Sequence, residues 1–224
     1  MCGRYTLAQE HEQLQLRFGF APTNLSISSR YNVAPGQDMP VITGGESRTL
    51  QLMRWGLVPF WAKDEKIGDR MINARAETVH EKPSFRRLLK ERRCLIPADG
   101  YYEWKKLPGQ TRKSPMRFIV RGGELFAFAG LWDVWRRADG SELLSYTIIT
   151  TDANELSKPI HHRMPVILSQ NHESVWLDSG ISDPEQLTPL LRPFPSEEME
   201  AYEVDTIVNS PKNDRPECVA KVQG

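Results

Sequence analysis

The apolar residues of this chain come in short runs, most of them rich in β-branched and aromatic side chains and bounded by Gly, Pro or Asp. RCLIPADGYYEW (93–104), MRFIVR (116–121), ELFAFAGLWDVW (124–135), LSYTIITT (144–151) and RMPVILS (163–169) all read as strands on that pattern. TLQLMRWGLVP (49–59) alternates and then runs apolar, which also predicts a strand. QEHEQLQLRF (9–18) places Leu14 and Phe18 four apart, the spacing of a short amphipathic helix. SFRRLLKERR (84–93) puts Phe85, Leu88 and Leu89 on one helical stripe, with Ser84 as the N-cap candidate. DANELSKPI (152–160), NHESVWLD (171–178) and PEQLTPLLR (184–192) predict further short helices.

Strands outnumber helices, and the strict βα alternation of a doubly wound sheet is missing. The sixteen prolines are spread over most of the chain, as expected for many short elements joined by tight turns. The expectation is an α+β fold: a mixed, strongly curved sheet or barrel-like core with short peripheral helices. There are no internal repeats, and neither GxGxxG nor GxxxxGK[ST] occurs, which argues against phosphate cradles of those kinds.

Composition narrows the picture. At 224 residues and 39% apolar, the chain can build one large domain or two small ones. The first twenty residues hold no apolar segment of the signal-peptide kind, and no run approaches 18 consecutive apolar residues. No membrane span is expected, and a cytoplasmic location fits. Three cysteines (Cys2, Cys94 and Cys218) with no CxxC pair argue against a disulfide framework and a structural zinc site. Net charge is zero, yet residues 1–122 hold 21 Lys+Arg against 12 Asp+Glu, while residues 123–224 hold 8 against 17. Such asymmetry can mark a face that meets a polyanion, or can be mere drift along the chain, since linear halves need not be spatial faces.

Several polar residues stand in unusual company. Cys2 lies directly behind Met1, so removal of Met1 would expose a thiol and an α-amine on adjacent carbons. Asn73 opens NARAET after an apolar pair, either as a helix N-cap or as a functional carboxamide. Glu103 sits among rings in GYYEW: desolvation there would raise its pKa toward acid–base work, although strand alternation could equally aim it at solvent. His161 begins HHRMP at a strand mouth, poor spacing for a metal and open to a structural role. Arg75 reads by default as a surface charge. A thiol, a carboxylate, an imidazole and a carboxamide together form a parts list for covalent catalysis.

Seven motifs in order, MCGRY, RYNVAP (30–35), WGLVPFW (55–61), NARAET (73–78), RCLIPADGYYEW, AGLW (129–132) and HHRMP (161–165), resemble the SOS response-associated peptidase (SRAP) family of abasic-site processing proteins. The resemblance spans nearly the whole chain and implies a single domain over residues 1–224. It implies that Met1 is removed, by self-cleavage or by an aminopeptidase, and that Cys2 captures the ring-opened aldehyde of an abasic site in single-stranded DNA as a thiazolidine. It assigns Asn73 to sensing the abasic sugar, and Glu103 and His161 to Schiff-base formation and ring closure. Arg4 and Arg75 would hold phosphates and Trp104 would stack near the lesion. No cofactor, metal or membrane partner is implied, a monomer is expected, and in a bacterium the protein would be associated with the nucleoid.

The chemistry suits an N-terminal cysteine. An α-amine titrates at about 8 and a thiol at about 8.5, whereas a lysine titrates at about 10.4. Single strands are gripped by basic grooves and aromatic faces, each stacked base contributing roughly 1–3 kcal/mol. Trp55, Trp61 and Trp104 are the stacking candidates, Trp104 first among them. The same residues could serve a cysteine peptidase, with Cys2 as nucleophile, His161 as base and Asn73 donating to the oxyanion. A lyase side activity through an N-terminal imine is also consistent, as is a non-catalytic single-strand binding module.

Overall fold

The computed structural model describes residues 2–106, 109 and 112–222. In chain order these form β1 (Tyr5–Leu7), α1 (His11–Phe18), β2 (Arg30–Val33), β3 (Asp38–Thr43), β4 (Thr49–Trp55), β5 (Asn73–Arg75), α2 (Arg86–Glu91), β6 (Arg93–Ala98) and β7 (Gly100–Lys106). There follow β8 (Lys113–Val120), β9 (Phe126–Arg136), β10 (Glu142–Asp152), β11 (Arg163–Pro165), β12 (Ile167–Leu168), α3 (Gln170–Leu177), α4 (Pro184–Leu187) and β13 (Met199–Glu203).

Two sheets carry the fold. One is antiparallel, in the order β13-β8-β7-β1-β2. The other runs β11-β10-β4-β3-β6-β9-β12, and pairing of β9 with β10 closes five of its strands into a barrel. The expected α+β class with a barrel-like core and short helices is therefore observed. β6 and the first half of β9 are buried on both faces, because the barrel interior covers one side and helices or the other sheet cover the second. Closure requires close approach at Gly130: a Cβ there would lie 2.1 Å from Ile96 Cδ1 and 3.0 Å from Thr147 O.

Rings join the two sheets. Tyr5 on β1 meets Trp55 at 5.2 Å and Phe128 at 5.8 Å, both edge-on, and its hydroxyl lies 2.8 Å from that of Tyr146. Tyr101 stacks on Phe118 of its own sheet at 4.8 Å and meets Phe128 of the other edge-on at 6.2 Å. Each such pair contributes about 0.5–1.5 kcal/mol beyond its area. Trp55 is fully buried here with Nε1 donating to Ile72 O, which removes it from the stacking candidates: its ring is core.

Several local expectations are corrected. RCLIPADGYYEW is two strands in two sheets, because Asp99 turns the chain between them. Its carboxylate accepts from Thr6 Oγ1 at 2.5 Å and from the Ala8 N–H at 2.6 Å. RMPVILS likewise divides into β11 and β12. The N-cap of α2 is Phe85, with no side-chain cap bond, so Ser84 does not cap it. Residues 153–160 form hydrogen-bonded turns instead of a helix. Asn73 is not an N-cap either: it opens β5, parallel to β10, with Asn73 opposite Ile148 and Arg75 opposite Thr150.

The pairing of β5 with β10 gathers motifs that are distant in sequence. One edge of β10 is served by β4 as far as Tyr146 and then by β5, while its other edge passes from β9 to β11. NARAET and HHRMP thus flank the same end of one strand. On the other sheet, the register Tyr5↔Tyr101, continued by two residues, sets Gly3 opposite Glu103. After β13, residues 205–214 form a strap across the outer face of this sheet, over a small second core of Tyr102, Val204, Val208 and Cys218.

Candidate active site

A cavity of about 670 Å³ opens where the strap, β7, β8 and the turn before β11 meet. Glu103, Trp104, Arg112, Lys113, His161, Thr206 and Asn209 line it. Three of the residues expected from the sequence, Glu103, Trp104 and His161, are therefore brought together from positions nearly sixty apart in the chain. Arg112, Lys113, Thr206 and Asn209 escaped sequence reasoning. The first two lie in an unremarkable polar stretch, and the last two on a segment without periodicity.

Glu103 points inward and is buried, which decides between the two readings of its strand. Burial pushes its carboxyl up to about 7, with the Lys113 ammonium pulling in the opposite direction. A group poised there is populated in both protonation states near neutrality, the condition for acid–base work. Cys2 is fully buried beside it. Burial, reinforced by the Glu103 carboxylate, raises the thiol well above its usual range, while the Arg4 N–H directed at the sulfur opposes the shift. The thiol is accordingly protonated at neutral pH.

His161 is partly buried, and burial lowers its pKa, helped by the charges of His162 and Lys113. Its Nδ1 lies 3.0 Å from the Arg163 backbone N–H and 3.2 Å from the Arg163 carbonyl oxygen, so Arg163 holds the ring in place through either tautomer. The His161 N–H donates to Ser157 O, and the Ser157 hydroxyl lies 3.2 Å from that of Tyr101, so the turn is tied to β7. The neighbouring rings of His161 and His162 stack at 4.5 Å.

Asn73 and Arg75 are not part of the cavity wall. Asn73 Nδ2 donates to Ile72 O at 3.0 Å, whereas its Oδ1 is buried with no hydrogen-bond partner among the described residues. Such an orphan acceptor costs about 1–3 kcal/mol, and a functional site is where that cost is tolerated. Arg75 is exposed. Arg4 is half-buried: its Nη1 donates to Asn32 Oδ1 at 2.7 Å and to Val208 O at 2.8 Å, and its guanidinium lies 5.6 Å from the centre of the Trp104 ring. Trp61 is half exposed on the loop after β4, beside Phe60. The expected loss of Met1 concerns a residue outside those described.

Among the described residues no cluster of three or more His, Cys, Asp or Glu is placed to hold a metal, and no helix is long and apolar enough to cross a membrane.

The fold and the sequence recur in known proteins. A solved structure from Bacteroides thetaiotaomicron superposes with a TM-score of 0.89 at 32% identity, covering 99% of this chain and all of that one. The abasic site processing protein YoqW of Bacillus subtilis is 50% identical over 98% of this chain and 99% of its own length. The abasic site processing protein HMCES of Gallus gallus is 36% identical over 86% of this chain, which spans 66% of that protein. The family model for SOS response associated peptidase (SRAP) matches residues 1–211, and this chain belongs to that family.

Proposed function

We propose that this protein captures abasic sites in single-stranded DNA through the aminothiol of Cys2, once Met1 has been removed, and holds them as a thiazolidine. The α-amine adds to the ring-opened aldehyde and water leaves, giving an imine. The Cys2 sulfur then adds to the imine carbon while its proton passes to the nitrogen, closing a five-membered ring. Aldehyde and aminothiol become thiazolidine and water, with no oxidant needed. Ring closure is intramolecular and gains from proximity.

The observation that carries this reading is a fully buried Cys2 beside a carboxyl whose pKa lies at about 7, on a cavity with cationic walls. Glu103 in its protonated form can supply the proton on which the carbinolamine loses water, and its carboxylate can then relay the thiol proton. The His161 imidazole can hydrogen-bond the sugar hydroxyl or share the proton load. Asn73 Oδ1, lacking a donor, suits a hydroxyl of the opened sugar. Arg4, Arg75, Arg112 and Lys113 supply charge for flanking phosphates, and Trp104 a face for a neighbouring base. A thiol kept protonated fits a nucleophile that acts second, after the amine. A cysteine peptidase instead requires a thiolate, whose pKa is lowered by an adjacent imidazolium.

The test uses the processed protein and a single-stranded oligonucleotide with one abasic site. A band shift that survives SDS and heat is expected, and Cys2→Ala abolishes it. One extra residue ahead of Cys2 keeps the sulfur but also abolishes the shift, and peptide substrates stay uncut. Absence of any adduct from the native protein overturns the proposal.

A further inference from the structure

RYNVAP and the segment after β13 have no part in the proposed chemistry, yet they are bound to each other more tightly than ordinary coil. Asn32, fully buried, donates from Nδ2 toward three strap carbonyls: Val208 at 3.2 Å, Ser210 at 3.0 Å and Asn213 at 2.6 Å. Its Oδ1 accepts from Arg4, which also reaches Val208 O. Asp214 returns the grip, accepting from the Tyr31 and Asn32 N–H groups at 2.6 and 3.0 Å and from Arg30 Nε at 2.5 Å. Asn213 Nδ2 closes the turn on Ile207 O at 2.8 Å.

A buried amide with all of its bonding capacity in use fixes a segment in one place, because each bond lost would leave a polar group stranded. What is fixed in this way is the wall of the cavity, since Thr206 and Asn209 line it. Asn209 is itself exposed, but its orientation is set: Oδ1 accepts from Trp104 Nε1 at 2.6 Å. With the carbonyl end of the amide taken by Trp104, the NH₂ is the end of this cavity-lining side chain left for a ligand. That donor stands at the Nε1 edge of the Trp104 ring, over which the Arg4 guanidinium lies, a grouping of donor, ring and cation that matches a nucleotide's phosphate and base.

We propose that Asn209 is a DNA-positioning residue: its carbonyl sets the plane of the Trp104 ring and its NH₂ takes a phosphate oxygen of the strand next to the lesion. The strap that carries it is held in register by Asn32 and Asp214. The inference rests on capture of single-stranded DNA at this cavity and deepens that reading. Asn209 acts on how the strand is held, whereas the aldehyde chemistry belongs to Cys2 and Glu103.

Two substitutions at this exposed position test it, with crosslinking rate measured against the concentration of abasic single strand. Asn209→Leu removes both bonds and raises the half-saturating DNA concentration about fivefold, the equivalent of one neutral hydrogen bond of about 1 kcal/mol, while the rate at saturation falls less than twofold. Asn209→Asp keeps the acceptor for Trp104 but opposes a carboxylate to the phosphate. It raises the half-saturating concentration about tenfold or more, and the excess over Asn209→Leu shrinks as salt is added. A residue that serves only Trp104 would regain its affinity in Asn209→Asp once salt screens the added charge, whereas a phosphate donor would not. Half-saturation unchanged in Asn209→Asp, or equal losses in both variants at every salt concentration, overturns the assignment. Failure of the unaltered protein to crosslink overturns the underlying reading instead, so the two failures are distinguishable.

Discussion

Two regions of this molecule are held together differently. In the barrel, β9 and β10 pair residue by residue from Glu142↔Arg136 to Ile148↔Gly130, and side chains such as Phe128, Leu131 and Ile148 are excluded from water on every side. Shape and burial dominate there, and many residues share the load. The strap of residues 205–214 has no sheet ladder of its own and only a small apolar cluster beneath it. A few identifiable polar side chains, chiefly Asn32 and Asp214, locate it. The cavity lies at the border, with Glu103 and Trp104 on the sheet and Thr206 and Asn209 on the strap. Apolar packing thus supplies stability over a broad area, while polar pins supply position at chosen points.

The comparison can be broken or sharpened by substitution. Phe128→Ala should be the most damaging, destabilising the fold by about 3–5 kcal/mol in chemical denaturation and lowering Tm by roughly 10 °C, with loss spread over both sheets. Asn32→Ala should cost about 2–3 kcal/mol by stranding Arg4 and the strap carbonyls, and in hydrogen exchange its damage should be confined to residues 205–214 and their contacts. Global loss of protection in Asn32→Ala would erase the distinction between the regions.

Glu103→Gln runs the other way. Its folded pKa of about 7 lies above the ordinary value of 4.5, so the fold favours the protonated form. The resulting penalty is absent below about pH 4.5, grows between there and about 7, and is constant above. Glu103→Gln should therefore stabilise the protein by roughly 1–3 kcal/mol at pH 8, change little at pH 4, and remove the inflection near pH 7 from the crosslinking rate. A pH-independent stability difference would contradict the shift. Ser84→Ala is the smallest effect, within about 0.5 kcal/mol, where a true N-cap would cost about 1.

Legibility in the sequence follows the same division. The strands that pack by burial, β9 and β10 above all, show themselves in apolar, β-branched composition, and the barrel-like α+β class follows from them. β2, β3, β5 and β13 do not: they are short, β3 carries Pro40 in its middle, and β5 and β13 pair with strands far away in sequence, β10 and β8. The turn at 153–160 imitates a helix because Leu156 and Ile160 are four apart, yet Asn154 accepts from the Ser157 N–H and Pro159 follows, which favours successive turns. At the site, Cys2, Asn73, Glu103 and His161 are recognisable through motifs, while Thr206 and Asn209 are not. A cavity wall made by a polar strap leaves no period in the chain, and its anchor Asn32 sits more than 170 residues before the carbonyls it holds.

The burial of Cys2 has one more consequence. On the proposed chemistry each molecule reacts once and is consumed, so its nucleophile must stay intact while it waits. Peroxide and electrophiles attack thiolates far faster than thiols, and they need access. With Met1 still attached, the Cys2 sulfur has no solvent exposure and burial holds its proton, which protects it from both. On that chemistry the buried sulfur is stored safely until Met1 leaves, and the amine that is then freed makes the first bond to the aldehyde.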